Sequence, residues 1–129
     1  MKLLSTQGEQ ITVDTKQSSF PLRSEEACKS KIQFECGQVL REKYPFDAIL
    51  EEWSISEEGF FIDFFLPSRK LVVEVDGQQH KAYNAFFHGS QANFIASQQR
   101  DRRKETFCKI NKFDFIRVSS VKELRECLT

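Results

Sequence analysis

Three acids stand inside apolar segments that read as strands: Asp63 in FIDFFL, and Glu74 and Asp76 in LVVEVD. A carboxylate among Phe and Val residues loses hydration, so its charged form is costly unless something neutralises it. Residues 60–66 and 71–76 are separated by PSRK (67–70), which reads as a turn. Closed as a hairpin with Leu66 opposite Leu71, they set Asp63 opposite Glu74 and Phe61 opposite Asp76. Side chains alternate along a strand, so strict alternation puts Asp63, Glu74 and Asp76 on one face. Directly opposed residues have Cβ atoms about 4.5–5.5 Å apart, where two carboxylates repel. A hard divalent cation with oxygen ligands relieves the conflict, and Mg²⁺ is such an ion. The other reading is an edge hairpin whose acids face water. The residues leave both open, although Asp63 shares its expected face with Phe61 and Phe65, and acids on a wet face usually have polar neighbours.

Glu35 flanks the apolar stripe of an expected helix and, if that helix packs beside the acids, reaches the same ion directly or through water. His80 follows the third strand by the short turn DGQQH. A loop histidine is ordinarily a surface residue. Beside a metal, an unperturbed pKa near ~6.5 suits it to moving a proton. No spacing argument ties His88 to the acids. The run Arg100, Arg102, Arg103 and Lys104 lies on a helix, where charge is commonly no more than a solvated face. Arg103, however, shares a stripe with Ile95, Ala96, Phe107 and Ile110, which directs it at a ligand or an internal acid. Asp101 projects roughly opposite that stripe.

The elements that must position these residues follow from caps and periodicity. Residues 1–22 are weakly patterned, with ITV (11–13) a short strand candidate and Pro21 closing the stretch. A helix begins at Ser24 or at Ser30, the latter forming a capping box with Gln33, and Pro45 stops it. Cys28, Ile32, Cys36, Val39 and Leu40 make its apolar stripe. Strands are expected at 49–56, 60–66, 71–76 and 113–118, with a loop over 77–90. A polar helix covers 91–110 and ends at Asn111 in the left-handed conformation, and a terminal helix opens at Ser120 and Glu123. This order predicts a single α/β (α+β) domain: an antiparallel three-strand meander, a further strand in a mixed sheet, and flanking helices.

Composition supports a folded core and excludes a disordered chain, since 37 of the 129 residues are Leu, Ile, Val or Phe. The 19 basic and 19 acidic residues cancel, but not locally. Residues 1–90 carry a net −4 and residues 91–129 a net +4, so a polyanion is expected to meet the C-terminal part. No apolar run approaches the ~20 residues that span a bilayer. Cys28, Cys36, Cys108 and Cys127 lack zinc-ribbon spacing and read as mostly buried thiols, which suits a reducing, intracellular, cytoplasmic setting.

With these residues in place, the chain resembles the PD-(D/E)xK-type nucleases, and within them the very-short-patch-repair (Vsr-like) endonucleases, the EDxHD homing endonucleases and DUF559 proteins. The resemblance runs from about Glu35 to Val118 and is carried chiefly by FIDFFLPSRKLVVEVDGQQH (61–80). The RD step at Arg100–Asp101 and Arg117 in FIRV add to it. It implies a restriction-endonuclease-like core, with residues 1–22 an N-terminal extension and 23–129 the nuclease domain. It further implies that Asp63 and Glu74 bind Mg²⁺, or Mn²⁺ as a substitute, with the Val75 carbonyl completing the set and Glu35 nearby. His80 would assist proton transfer and Asp101 would orient it. Asp76 stands where the wider family has a lysine, as in the EVDG branch, and Lys104 and Lys112 replace the Arg and Gly usual in DUF559 proteins.

The implied activity is hydrolysis of DNA phosphodiester bonds, of the homing or repair kind carried by phages and mobile elements. Arg100, Arg102, Arg103 and Lys104 would contact the phosphate backbone, which gives affinity without sequence information. Site recognition would call for a homodimer or a separate DNA-targeting protein. The alternative is a noncatalytic nucleic-acid-binding or assembly module that retains the nuclease fold.

Overall fold

The computed structural model describes residues 1–76 and 91–129. His80, His88 and the expected loop 77–90 lie outside the described residues. The chain opens with a small antiparallel hairpin of β1 (Lys2–Leu4) and β2 (Gln10–Thr12), turned at Gly8 with φ +84°. Its inward residues Leu3 and Ile11, followed by Val13, are buried in the main core. Residues 1–22 are therefore packed onto the rest of the fold, and the Trp53 indole N–H donates to the Asp14 carbonyl at 2.8 Å.

Helix α1 (Lys31–Lys43) starts at Ser30, whose side chain accepts from the Gln33 N–H at 3.1 Å. Cys28 thus precedes the helix, and of the two expected caps Ser30 is the one used. Only half of the capping box forms, because the Gln33 side chain turns inward to other partners, and Ile32 is 38% exposed. Pro45 ends the helix, and Arg41 donates to the carbonyls of Tyr44, Pro45 and Asp47 just beyond it.

Strands β3 (Leu50–Ile55), β4 (Phe60–Leu66) and β5 (Leu71–Val75) form an antiparallel meander. Strand β6 (Asp114–Val118) lies parallel to β5, giving a four-stranded mixed sheet in the order β3-β4-β5-β6. A parallel neighbour needs a long crossover, and α2 (Gln91–Ile110) belongs to it. The last helix, α3 (Val121–Cys127), is capped by Ser120, which accepts from the Glu123 N–H at 3.1 Å. The sheet separates two apolar clusters. The N-terminal hairpin and the end of α2 cover the first, where Trp53 stacks on Phe65 at 4.1 Å and Phe60 meets Phe107 edge-on. Helices α1 and α3 cover the second through Cys36, Leu40 and Leu124 against Phe64, Val73 and Val118. Gly37 permits close approach there: a Cβ on it would lie 3.2 Å from the Phe64 ring.

The hairpin register is the one its turn length predicts, with Leu66 opposite Leu71 and Phe64 opposite Val73. Strict alternation fails, however, one residue further on. Leu50, Trp53 and Ile55 of β3, and Phe60, Ile62 and Phe65 of β4, all join the first cluster. The ladder pairs Glu51 with Phe64 and then Trp53 with Ile62, passing over Glu52, whose φ is +52°. A left-handed residue rotates the strand, so the faces exchange at the level of Glu52 and Asp63. Phe61 and Phe65 consequently occupy different environments, 54% exposed and fully buried.

Two further expectations are corrected. The left-handed residue after α2 is Lys112 (φ +59°), not Asn111. Asn111 is held in the last turn by its own side chain, which donates to the Phe107 and Leu4 carbonyls and accepts from the Leu4 N–H. The four thiols are unpaired, but only Cys36 and Cys108 are buried. Cys28 is half-buried and Cys127 exposed, because Cys127 ends α3 at the surface. Among the described residues no helix is long and apolar enough to cross a membrane.

Candidate functional site

Asp63 and Glu74 meet at the open end of the β4–β5 hairpin, where the regular ladder stops. They are 4% and 5% exposed. Their carboxylates replace the missing ladder bonds: Glu74 Oε2 accepts from the Asp63 N–H at 2.7 Å, and Asp63 Oδ2 accepts from the Val75 N–H at 2.8 Å. The second oxygen of each takes an ammonium. Lys29 Nζ lies 3.3 Å from Asp63 Oδ1, and Lys104 Nζ lies 2.9 Å from Glu74 Oε1. Lys29 comes from the segment leading into α1 and Lys104 from α2, elements that cover opposite faces of the sheet. The acids are thus cross-braced between the strands and drawn toward different covers, rather than standing side by side on one face.

Glu52 is the third acid of this centre, 3.8 Å from Lys29 Nζ. Its left-handed backbone brings the side chain inward, where Gln33 Nε2 donates to it at 3.1 Å and to its neighbour Glu51 at 2.9 Å. Glu51, 2% exposed, also accepts from the Arg23 N–H and the Cys28 thiol. These bonds tie the irregular stretch 20–30 to β3.

Burial and the nearby Asp63 charge push the Glu74 carboxyl up to about 7, against the opposing pull of Lys104. Burial likewise raises Glu52, with Gln33 and Lys29 opposing. For Lys29, burial favours the neutral amine, but Asp63 and Glu52 together outweigh it and raise its pKa. The centre therefore holds its charge through mutual pairing, and its protonation near neutrality depends on its lysines.

The other sequence candidates are distributed around this centre. Val75 ends β5, and the Asp76 N–H donates to the Val118 carbonyl at 2.7 Å. Glu35 lines the groove between α1 and α3 with Val39, Val121 and Arg125, and no hydrogen bond or ion pair joins it to Asp63 or Glu74 among the described residues. Asp101 is half-buried on α2, and its expected partner His80 lies outside the described residues. Arg100 and Arg102 are exposed. Arg103 donates to the Glu58 carbonyl at 2.8 Å and lies 5.8 Å from the Phe60 ring centroid, so it is engaged with the β3–β4 turn. Arg117 is opposite Glu74 in the parallel ladder and pairs with Glu105, leaving its buried Nη2 without a hydrogen-bond partner among the described residues.

Sequence reasoning missed Lys29, Gln33, Glu51 and Glu52, and placed Lys104 on the outside. A signal for Lys104 did exist: it precedes the buried Phe107 and Cys108 by one helical turn, on the same helix face. Nothing comparable marked Glu52, since a left-handed glutamate has no sequence signature.

The donor chemistry is hard and oxygen-only. Mg²⁺ commonly takes one or two carboxylates and completes its shell with water and substrate oxygens, which suits Asp63 and Glu74. No group of three or more His, Cys, Asp or Glu among the described residues is arranged to hold a metal ion. A cation would therefore rely on this pair, in place of one or both ammonium groups.

No family model matches the chain, and no solved structure does. Among curated proteins, the chain is similar to "Uncharacterized protein 033L" of Invertebrate iridescent virus 3, 40% identical over 57 residues. The match spans 44% of this chain and 29% of the viral protein, under a third of that relative's length.

Proposed function

We propose that this chain is a Mg²⁺-dependent endonuclease of the PD-(D/E)xK type that hydrolyses phosphodiester bonds in DNA, of the homing or very-short-patch-repair kind. The observation that carries this reading is the buried Asp63–Glu74 pair at the open end of a hairpin. Its setting adds support: an antiparallel meander followed by a parallel strand, with helical cover, is what a restriction-endonuclease-like core would require. The motif FIDFFLPSRKLVVEVDGQQH carries the resemblance onto the same strands.

In this reading Asp63 and Glu74 hold the ion, with the Val75 carbonyl beside them, and Glu35 in its separate groove is left out. Mg²⁺, or Mn²⁺ in its place, would supply Lewis-acid polarisation of the phosphodiester and an activated water. The chain's own residues do the rest. Lys104 keeps positive charge beside Glu74, and the exposed Arg100 and Arg102 offer cations to backbone phosphates, an attraction that weakens with salt. His80, oriented by Asp101, is assigned the proton transfer. With no net charge on the chain, tight recognition of a site calls for a homodimer or a targeting partner.

One observation favours the second reading, a noncatalytic nucleic-acid-binding or assembly module: each carboxylate is already neutralised by a lysine. Cleavage of supercoiled plasmid, mismatched duplex and branched DNA separates the two. The nuclease reading expects nicking or linearisation with Mg²⁺ that stops in EDTA and in Asp63→Asn. That variant keeps an oxygen for the Val75 N–H, and circular dichroism checks its fold. DNA bound but left intact on every substrate would establish the noncatalytic reading instead.

A further inference from the structure

The two lysines of the acidic centre are not equivalent. On each carboxylate one oxygen is held by a strand N–H and the other by an ammonium. The strand donors are fixed by the sheet, so only the ammonium groups can leave. The Lys104 side chain is 12% exposed and is anchored by the buried turn of α2 that follows it. The Lys29 side chain is 60% exposed and lies just before the Ser30 cap, in a segment with neither helix nor strand. Its ammonium also bridges two acids, 3.3 Å from Asp63 and 3.8 Å from Glu52, as a compact cation would.

We propose that Lys29 is a built-in competitor for the divalent cation at this centre. In the metal-free protein its ammonium holds the Asp63 oxygen that a cation on Asp63 and Glu74 would take, with Glu52 alongside. A metal ion entering there expels it to solvent, while Lys104 stays on Glu74. The inference rests on the reading of Asp63 and Glu74 as metal ligands. Its physical basis is the difference in burial. Both acids are buried, so the difference lies in the lysines: Lys29 returns to water by moving an exposed side chain, whereas Lys104 would have to leave the cover of α2.

The test is Mn²⁺ titration of the full chain by calorimetry, with wild type, Lys29→Met and Lys29→Gln, alongside lysine acetylation footprinting read by mass spectrometry. Thermal unfolding confirms that both variants fold. Both are expected to bind Mn²⁺ about two- to fivefold more tightly than wild type. In wild type, Mn²⁺ should increase acetylation at Lys29 and leave Lys104 protected. Equal or weaker binding by the variants, with Lys29 labelling unchanged by Mn²⁺, would overturn the competitor role and leave the metal reading standing. No Mn²⁺ binding by any of the three proteins would remove the metal reading and this inference together.

Discussion

The two ends of the β4–β5 hairpin are built from the same strands and obey different physics. At the closed end Leu66 faces Leu71, Phe65 faces Val72 and Phe64 faces Val73, all buried and all in a regular ladder. One residue beyond, Asp63 and Glu74 replace ladder bonds with side-chain bonds, and two ammonium groups enter the structure. The closed end is stabilised by apolar burial, which involves no titrating group and is indifferent to protons. The open end holds paired charges whose desolvation roughly offsets their attraction, so its occupancy is adjustable by pH and by cations. Stability and adjustability are thus placed at opposite ends of one hairpin.

The largest effect should come from the apolar end. Phe64→Ala removes a fully buried ring between α1 and the sheet and should cost about 3–5 kcal/mol, nearly the same at pH 6 and pH 8, in urea unfolding. A pH-sensitive loss there would break the contrast. Next, Lys104→Met strands Glu74 without its cation and should cost about 2–4 kcal/mol at pH 8. Its penalty should shrink at pH 6, where a carboxyl already raised to about 7 takes a proton instead. An equal penalty at both pH values would show that Lys104 acts through packing alone.

The smallest effect is in the unaltered, metal-free protein. Glu74 titrates near 7 in the fold and in the ordinary carboxylate range when unfolded. The folded state therefore binds a proton that the unfolded state releases, and stability rises as pH falls through 7, levelling off toward the unfolded pKa. In EDTA, unfolding at pH 6 should need on the order of 1 kcal/mol more than at pH 8. Stability that falls over that window would reverse the sign assigned to the acidic end.

The sequence was most legible where the signal is local. Strand β4 and its turn announce their own boundaries, and Ser30 and Ser120 cap the helices that follow them. The expected pairing of Asp63 with Glu74 needed only a turn length and a register. The failures are tertiary. Alternation assumes a regular strand, and Glu52 at φ +52° is a backbone choice enforced by its surroundings. Lys104 looked like solvated charge although the buried Phe107 and Cys108 lie one turn further along its helix face, and nothing local marked Lys29 as folded over a carboxylate. Asn111 has the residue type of a helix stop, yet a partner more than a hundred residues away claims its amide.

That last contact bears on the order in which the molecule assembles. The paired bonds between Asn111 and Leu4 join positions 107 residues apart, whereas the β4–β5 ladder closes over a handful. Closing a long loop costs entropy before any contact rewards it, so contacts of high sequence separation form late. The local meander is expected to form ahead of the hairpin contact, with Trp53, Phe60 and Phe65 offering an apolar face for it. Docking of the N-terminal hairpin over that face, latched by one asparagine amide acting as a surrogate strand, is then the contact expected to close last.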